Sequence, residues 1–506
     1  MRKPIDPKKR KDIIIKKETD DKKDDKIVKI KDDIPPAPKN ILNIYQLPQN
    51  DGINILDLNE DPSFSRFMNE PLFKYGFYYY IHQTKNKMEL FEKPQFKNKD
   101  LQKIVNAYED VVPQEEFNKQ FKTDKIVSTD DINSFSIKYF QVDKIISRAF
   151  YKLWELLMMF PLVKDKSSSF TSIHIAEAPG SFVQAVINYR SKFFTKEQTK
   201  DDKYIATSID ASYEKDNYIP AFGPDLSKNK QFSRWVHQNS DLTKIDVIQK
   251  FVADHKNSNA DLITADGGFN WKDENYQEQE AYILLLSEIY CALKVQKEGG
   301  CFVIKFFEVF TEVTIKMIEI LRRFYKNVLI AKPLLSRPSN SERYIVCINY
   351  NSPNEKYIEK IFNIINESAK RPDKFLVDIF PDYQITPAVD SIIKLADTQL
   401  SNEQHRQIND MVSYINEGNY FGDKYRLYLA RRREANDFWI STFYPLSSKE
   451  LANNRQMINI LIDKTLENVK KTADDFSSKL RLVVFNTDSI VDEQKSSKVK
   501  SSKSKK

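Results

Sequence analysis

The chain has 506 residues and a mass of 59.4 kDa, yet only 10 glycines, where average usage of about 7% would give roughly 35. That scarcity excludes collagen-like and Gly/Ser-linker architectures and argues against a glycine-punctuated all-β sandwich. Charged residues at 30% and hydrophobic ones at 41% fit a globular protein with polar extensions. Of the net charge of +7, six lysines lie between Lys495 and Lys506, leaving about +1 on the rest, so any nucleic-acid affinity of the body must come from local patches.

Residues 1–40 alternate lysine and aspartate blocks and end in Pro35-Pro36-Ala37-Pro38, a composition that reads as a disordered charged tail. An accessory region over 41–135 contains an aromatic block, Phe73-Lys74-Tyr75-Gly76-Phe77-Tyr78-Tyr79-Tyr80, either a buried strand or helix or a stacking platform for a base. From 136 to 350 the pattern becomes regular. Val142, Ile145, Ile146, Ala149, Phe150, Leu153, Trp154 and Leu157 follow helical spacing and predict an amphipathic helix. Strands are expected at 172–176, 204–209, 261–265 and 301–307, with helices from 181 to about 194, at 243–255, at about 275–296 and at 311–325. Gly299-Gly300 is expected to stop the third of these helices. Two final strands, 327–335 and 343–350, are joined by too few residues for a crossover helix, so they should pair antiparallel at one edge.

Strand–helix alternation of this kind predicts an α/β, Rossmann-like domain with a mostly parallel sheet and an antiparallel last strand. Such a sheet resembles that of S-adenosylmethionine-dependent methyltransferases, among other Rossmann-like folds. Residues 351–485 read as a helical accessory domain with basic clusters such as Arg431-Arg432-Arg433. Residues 486–506 read as a disordered Ser/Lys tail.

Three cysteines, Cys291, Cys301 and Cys347, stand in apolar segments without CxxC or Cys/His spacing. This excludes a zinc ribbon or disulfide scaffold, gives no reason to expect a metal, and suggests a reducing compartment. Charge from Arg2 onward leaves no secretory h-region. The best apolar run, Ala281–Val295, is interrupted by Glu288 and Lys294, so no membrane span is expected. The expectation is a protein of the nucleus or cytoplasm, or of a viral replication site or virion, and not a secreted one.

In open α/β sheets, ligands bind beyond the carboxyl ends of the strands. The first such turn is Glu177-Ala178-Pro179-Gly180-Ser181-Phe182, where Pro179 fixes φ and Gly180 lets the backbone approach a ligand closely. It is not GxGxxG, so a dinucleotide pyrophosphate fits poorly. A sulfonium amino acid needs less phosphate cradling, and Glu177 and Asp266 could offset its charge. Asp210 is placed for a ribose hydroxyl and Asp241 for an adenine amine, although either could simply cap a turn. Lys305 lies inside the apolar run Phe302–Phe307, Lys152 on the flank of the amphipathic helix, and Glu342 opens the last strand. With Asp266 they form two lysines and two carboxylates able to converge over the sheet. That set suits deprotonation of a ribose hydroxyl: burial and a neighbouring ammonium should depress Lys305 far enough to act as base.

At these residues the chain resembles the FtsJ-type 2′-O-ribose methyltransferases with a Lys-Asp-Lys-Glu tetrad, and most nearly the adrift-type branch of mRNA cap 2′-O-methyltransferases. The resemblance rests on Glu177–Phe182, Thr264-Ala265-Asp266-Gly267-Gly268-Phe269 with Glu278-Gln279-Glu280, Gly299–Phe306, and Asn340-Ser341-Glu342-Arg343-Tyr344. It covers about 138–350. It implies Lys152, Asp266, Lys305 and Glu342 as catalytic residues and S-adenosyl-L-methionine as cofactor against 177–182. Its implied partners are the capped 5′ end of mRNA and RNA-processing or capping proteins, with methyl transfer to the first or second transcribed nucleotide. His174 and Ala176 stand where the bacterial pattern has aspartate and glycine, which disfavours a plain ribosomal RNA enzyme. Asp210 stands where the adrift-type branch more often has asparagine. Two alternatives stay open: a ribosomal or transfer RNA 2′-O-methyltransferase, and an inactive methyltransferase fold serving as an RNA-binding scaffold.

Overall fold

The computed structural model describes residues 42–49, 54–68, 75–92, 105–111, 145–164, 169–209, 221–268, 271, 273–351, 354–417, 423–445 and 447–501. Its centre is an eight-stranded sheet. The strands are β1 (Asn43–Gln46), β3 (Thr171–Ile175), β4 (Lys203–Ala206), β5 (Phe232–Arg234), β6 (Ala260–Ala265), β7 (Gln296–Phe306), β8 (Tyr325–Lys332) and β9 (Arg343–Tyr350), in the order β1-β8-β9-β7-β6-β3-β4-β5. A separate pair joins β2 (Ser63–Ser65) to β10 (Phe375–Asp378).

The five strands from β5 to β7 run parallel, while β9 lies antiparallel between β7 and β8. The expected Rossmann-like sheet with its reversed last strand is therefore present. It is extended by β1, which pairs antiparallel with β8, Asn43 opposite Lys332.

Period-two alternation along the strands decides which side each residue serves. Ile173, Ile263, Phe302, Ile304 and Ile345 enter one core, shared with the helices α4 (Ile245–His255), α5 (Tyr282–Val295), α6 (Glu312–Phe324) and α7 (Glu355–Ala369). Leu262, Cys301, Val303, Tyr344 and Val346 enter the other, covered by α2 (Ala149–Met159), α3 (Ser181–Phe193), α9 (Asp423–Phe443) and α10 (Ser448–Ser501). The second half of β7, Cys301–Phe306, is buried on both faces and reads as an apolar run broken by Lys305, whereas the equally central β3 buries Ser172 and His174. The remaining long helices are α1 (Tyr75–Asn86) and α8 (Pro387–Glu417).

Several local expectations change. The amphipathic helix begins at Ala149, and its stripe of Phe150, Leu153, Trp154 and Leu157 is fully buried. The helix read at about 275–296 is broken after Glu280 and ends at Val295. Gly299-Gly300 is not its stop but part of β7, where the pairing with β6 shifts register and Gly299 takes a φ of +71°. The aromatic block supplies α1, whose Tyr80 ring lies 4.1 Å from that of His405, while Phe73 and Lys74 fall outside the described residues. Arg432 of the basic cluster is buried. Helix α10 continues to Ser501, into the stretch read as a polar tail, and residues 1–40 lie outside the described residues.

Candidate active site

The chain leaves β3 towards β4 on one side, whereas β6 lies on the other. The switch in strand order falls between β3 and β6, the place where open α/β sheets form their ligand crevice. The turn Glu177–Phe182 follows β3 and Asp266 follows β6, so both candidate segments meet there.

The turn is built around the start of α3. Glu177 is buried, and its Oε1 accepts from the N–H groups of Phe182 (2.7 Å) and Val183 (3.2 Å), donors that a helix leaves free in its first turn. Burial and the nearby Asp266 push its carboxyl well above the usual range. Gly180, with φ +103°, precedes the helix; a Cβ there would overlap Leu226 Cδ1 and press on Phe222. Backbone conformation and Leu226 thus each require glycine at this position. The Ala178–Pro179 peptide is cis. Ser181 Oγ lies 2.7 Å from Ser147 Oγ, and the Phe182 ring packs against Tyr344.

The four candidate catalytic residues form two pairs. Lys152 Nζ lies 2.8 Å from Glu342 Oε2, and Lys305 Nζ lies 3.2 Å from Asp266 Oδ1 while donating to the Asp266 carbonyl at 2.9 Å. Their side chains are 13–19% exposed, shielded yet reachable. The pairs sense each other. Burial would raise Glu342, but Lys152, Lys305 and Lys332 together hold its carboxyl down at about 2. Burial alone would lower Lys305, but Asp266, Glu342 and Glu288 outweigh it and hold the ammonium above its ordinary range. This corrects the expectation of a depressed base: the carboxylates around Lys305, not the neighbouring ammonium, decide the sign.

Asp241 Oδ1 accepts from the Thr243 N–H (2.9 Å) and hydroxyl (2.7 Å), the geometry of a turn before α4. Asp210 lies outside the described residues. Thr207 Oγ1, just past β4, is buried without a hydrogen-bond partner among the described residues, leaving a polar atom free on this rim.

Sequence reading missed the supports. Lys332, at the end of β8, is buried and donates to Asn340 O (2.8 Å), Asn340 Oδ1 (2.9 Å) and Glu342 O (2.6 Å); burial pushes its ammonium down to about 7. Ser336 donates to Glu342 Oε1 at 2.7 Å, and Tyr344 donates to Asp266 Oδ1 at 3.2 Å. Glu155, one turn beyond Lys152, accepts from the N–H groups of Leu334 (2.7 Å) and Leu335 (2.9 Å) and from Trp439 Nε1 (2.9 Å). A charged residue inside an apolar run was the available signal for Glu155, as it was for Lys305.

Residues 145–350, the span that holds both pairs, match the FtsJ-like methyltransferase family. They are an FtsJ-like methyltransferase domain. The chain also carries similarity to curated relatives. One is a cap-specific mRNA (nucleoside-2′-O-)-methyltransferase 2 of Drosophila melanogaster, 26% identical over 249 residues, covering 48% of this chain and 35% of the relative. Its counterpart in Danio rerio is 31% identical over 218 residues, covering 41% and 28%. An uncharacterized protein of Acanthamoeba polyphaga mimivirus is 26% identical over 265 residues, covering 51% and 33%. The chain spans about a third of the length of these relatives. Among the described residues, no helix is long and apolar enough to cross a membrane.

Proposed function

We propose that this FtsJ-like domain is an mRNA cap 2′-O-ribose methyltransferase acting on the first or second transcribed nucleotide. The observation that carries the reading is the pairing of Lys305 with Asp266 and of Lys152 with Glu342 at the carboxyl ends of the strands, beside the β3–β6 switch point. The similarity to cap-specific relatives supports capped mRNA as the substrate. The reading assigns the protein to the nucleus or cytoplasm, or to a viral replication site, wherever capped transcripts are modified.

The rim between β3 and β6 suits S-adenosyl-L-methionine. It offers the Asp266 carboxylate for a cationic ligand, a tight turn at 177–182 held by the buried Glu177, and a free hydroxyl at Thr207. When bound, that cofactor supplies an electrophilic methyl group, whose bond to sulfur breaks as the ribose 2′-oxygen takes it. Lys305 Nζ is the group that accepts the 2′-hydroxyl proton. Because its ammonium is stabilised in the resting site, it must lose a proton before it can act. Asp266 orients Lys305 through both its carboxylate and its carbonyl. Glu342 holds Lys152 alongside, so the second ammonium can steady the oxyanion as it forms.

The test uses purified protein, tritiated S-adenosylmethionine and short RNAs beginning m7GpppA, GpppA or a 5′-triphosphate. Label is expected on the m7GpppA RNA at the ribose 2′-oxygen, and Lys305→Ala should abolish it while cofactor binding persists. Label confined to ribosomal or transfer RNA would replace the substrate. Cofactor binding with no RNA labelled would favour a scaffold. Wild-type rates in Lys305→Ala would remove Lys305 as the base.

A further inference from the structure

Glu288, on α5, is fully buried, and neither carboxyl oxygen has a hydrogen-bond partner of normal geometry among the described residues. A buried carboxyl without partners costs free energy unless it is neutral or serves a purpose. Its position is informative. A Cβ built on Gly267 would overlap Glu288 Oε1 and crowd Leu284, so this carboxyl occupies the space directly behind the turn that follows Asp266. At the next residue of the same turn, a Cβ on Gly268 would sit 3.6 Å from Lys305 Nζ. Successive glycines of the Asp266-Gly267-Gly268 turn therefore lie against Glu288 and Lys305.

We propose that Glu288 is a positioning residue for the reaction at Lys305, a buried carboxyl that supports the Asp266–Gly268 turn from behind and sets how tightly Lys305 holds its proton. The proposal rests on the assignment of Lys305 as the proton acceptor. Burial pushes Glu288 up to about 8, with Lys305 drawing it down, Asp266 raising it and the Gly267 amide favouring the ionised form. At neutral pH it is the uncharged acid, and above about pH 8 it becomes a third carboxylate acting on Lys305. Cys291, one turn along α5, is the other titratable group coupled to it. Several charges on the other elements packed against α5 have partners of their own. Glu355 and Glu359 of α7 pair with Lys294, Lys316 of α6 with Asp378, Lys250 of α4 with Asp254, and Glu278 accepts from the Phe310 and Thr311 N–H groups.

The experiment compares Glu288→Gln, which keeps shape and loses the charge, with the wild type in the full chain. The first readout is the alkaline titration of Lys305 by NMR of protein labelled with 13C at lysine Cε, the resonance assigned by its loss in Lys305→Arg. Lys305 is expected to titrate about one pH unit lower in Glu288→Gln. The second is kcat/KM for m7GpppA RNA, where the ratio of variant to wild type should climb about fivefold between pH 7 and pH 9. A role confined to packing would leave that ratio flat. A Lys305 titration that is the same in both proteins overturns the proposal whatever the activity. Absence of methyl transfer to any RNA, with the Lys305 shift present, overturns the proposed function and leaves the Glu288 coupling standing. If Glu288→Gln does not fold, Glu288→Leu and a direct 13C titration of Glu288 in the wild type replace it, and ionisation of Glu288 below pH 6 sinks the idea.

Discussion

The protonation state of Lys305 gives the most exposed prediction. Its carboxylate neighbours hold the ammonium above the ordinary value of 10.5. At pH 7.5, then, no more than about one molecule in a thousand carries the neutral amine, a handicap of ~4 kcal/mol on the barrier. The quantity to follow is kcat/KM for m7GpppA RNA at fixed S-adenosylmethionine, which reports groups on the enzyme before RNA binds. It is expected to rise about tenfold per pH unit from about pH 6 to pH 8 with no plateau. Lys305→Arg keeps the positive charge but cannot shed its proton, so it should lose at least about a thousandfold at every pH while calorimetry shows cofactor affinity retained. A plateau at or below about pH 7.5 would refute the reasoning, because it would mean that burial outweighs Asp266, Glu342 and Glu288 in the working enzyme.

Three further outcomes are expected. Lys152→Met removes the partner of Glu342, whose carboxyl should rise from about 2, and transfer should fall by about a hundredfold with cofactor affinity intact; an unchanged rate would exclude Lys152 from the reaction. Glu155→Ala leaves three buried donors without an acceptor and should cost ~3–5 kcal/mol of unfolding free energy in urea titration, a loss under ~1 kcal/mol contradicting the role given to Glu155. Burial also holds Glu155 up at about 7 against 4.5, so the stabilisation tied to its protonated form is full below pH 4.5 and is lost as pH rises through about 7; Glu155→Gln should flatten that part of the Tm–pH curve. Gly180→Ala forces a side chain onto a left-handed residue and into Leu226, for an expected loss of ~2–4 kcal/mol. Adding Leu226→Ala should give a double variant that loses less than the sum of the two, and strict additivity would show that the overlap is not the cause.

The parallel sheet and the four candidate residues were legible because their signals are local, whereas which lysine pairs with which carboxylate was not. Strand runs such as Phe302–Phe307 and the helical stripe from Phe150 to Leu157 each declare themselves within a dozen residues, and a lysine within such a run calls for a partner. The edge strand β1 was not legible, since four residues carry too little pattern and their partner lies almost 300 positions away. The sign at Lys305 was not legible either. Burial could be inferred from the run around it, but the outcome depends on how many carboxylates arrive from β6, α5 and the β8–β9 connection. Glu288 stood in the sequence only as an interruption of an apolar run, and its meaning needs the turn it lies behind.

The two pairs differ in what holds them, and that difference has consequences. Lys305 and Asp266 hang from adjacent strands of the sheet, so their separation is fixed by the β6–β7 ladder, in which Ala265 stands opposite Ile304. Lys152 and Glu342 depend on the connection between β8 and β9, which is held from several directions. Glu155 takes the N–H groups at 334 and 335, Lys332 takes the carbonyls at 340 and 342, and Arg148 donates to the Leu335 carbonyl. Helix α2 thus delivers Lys152 and, one turn later, the carboxylate that anchors the loop bearing that lysine's partner. A rigid helix carrying both groups makes the Lys152–Glu342 distance insensitive to the rest of the loop. Damage to this anchorage should therefore disturb the second ammonium while leaving the proton acceptor in register, separating the two halves of the site by mutation.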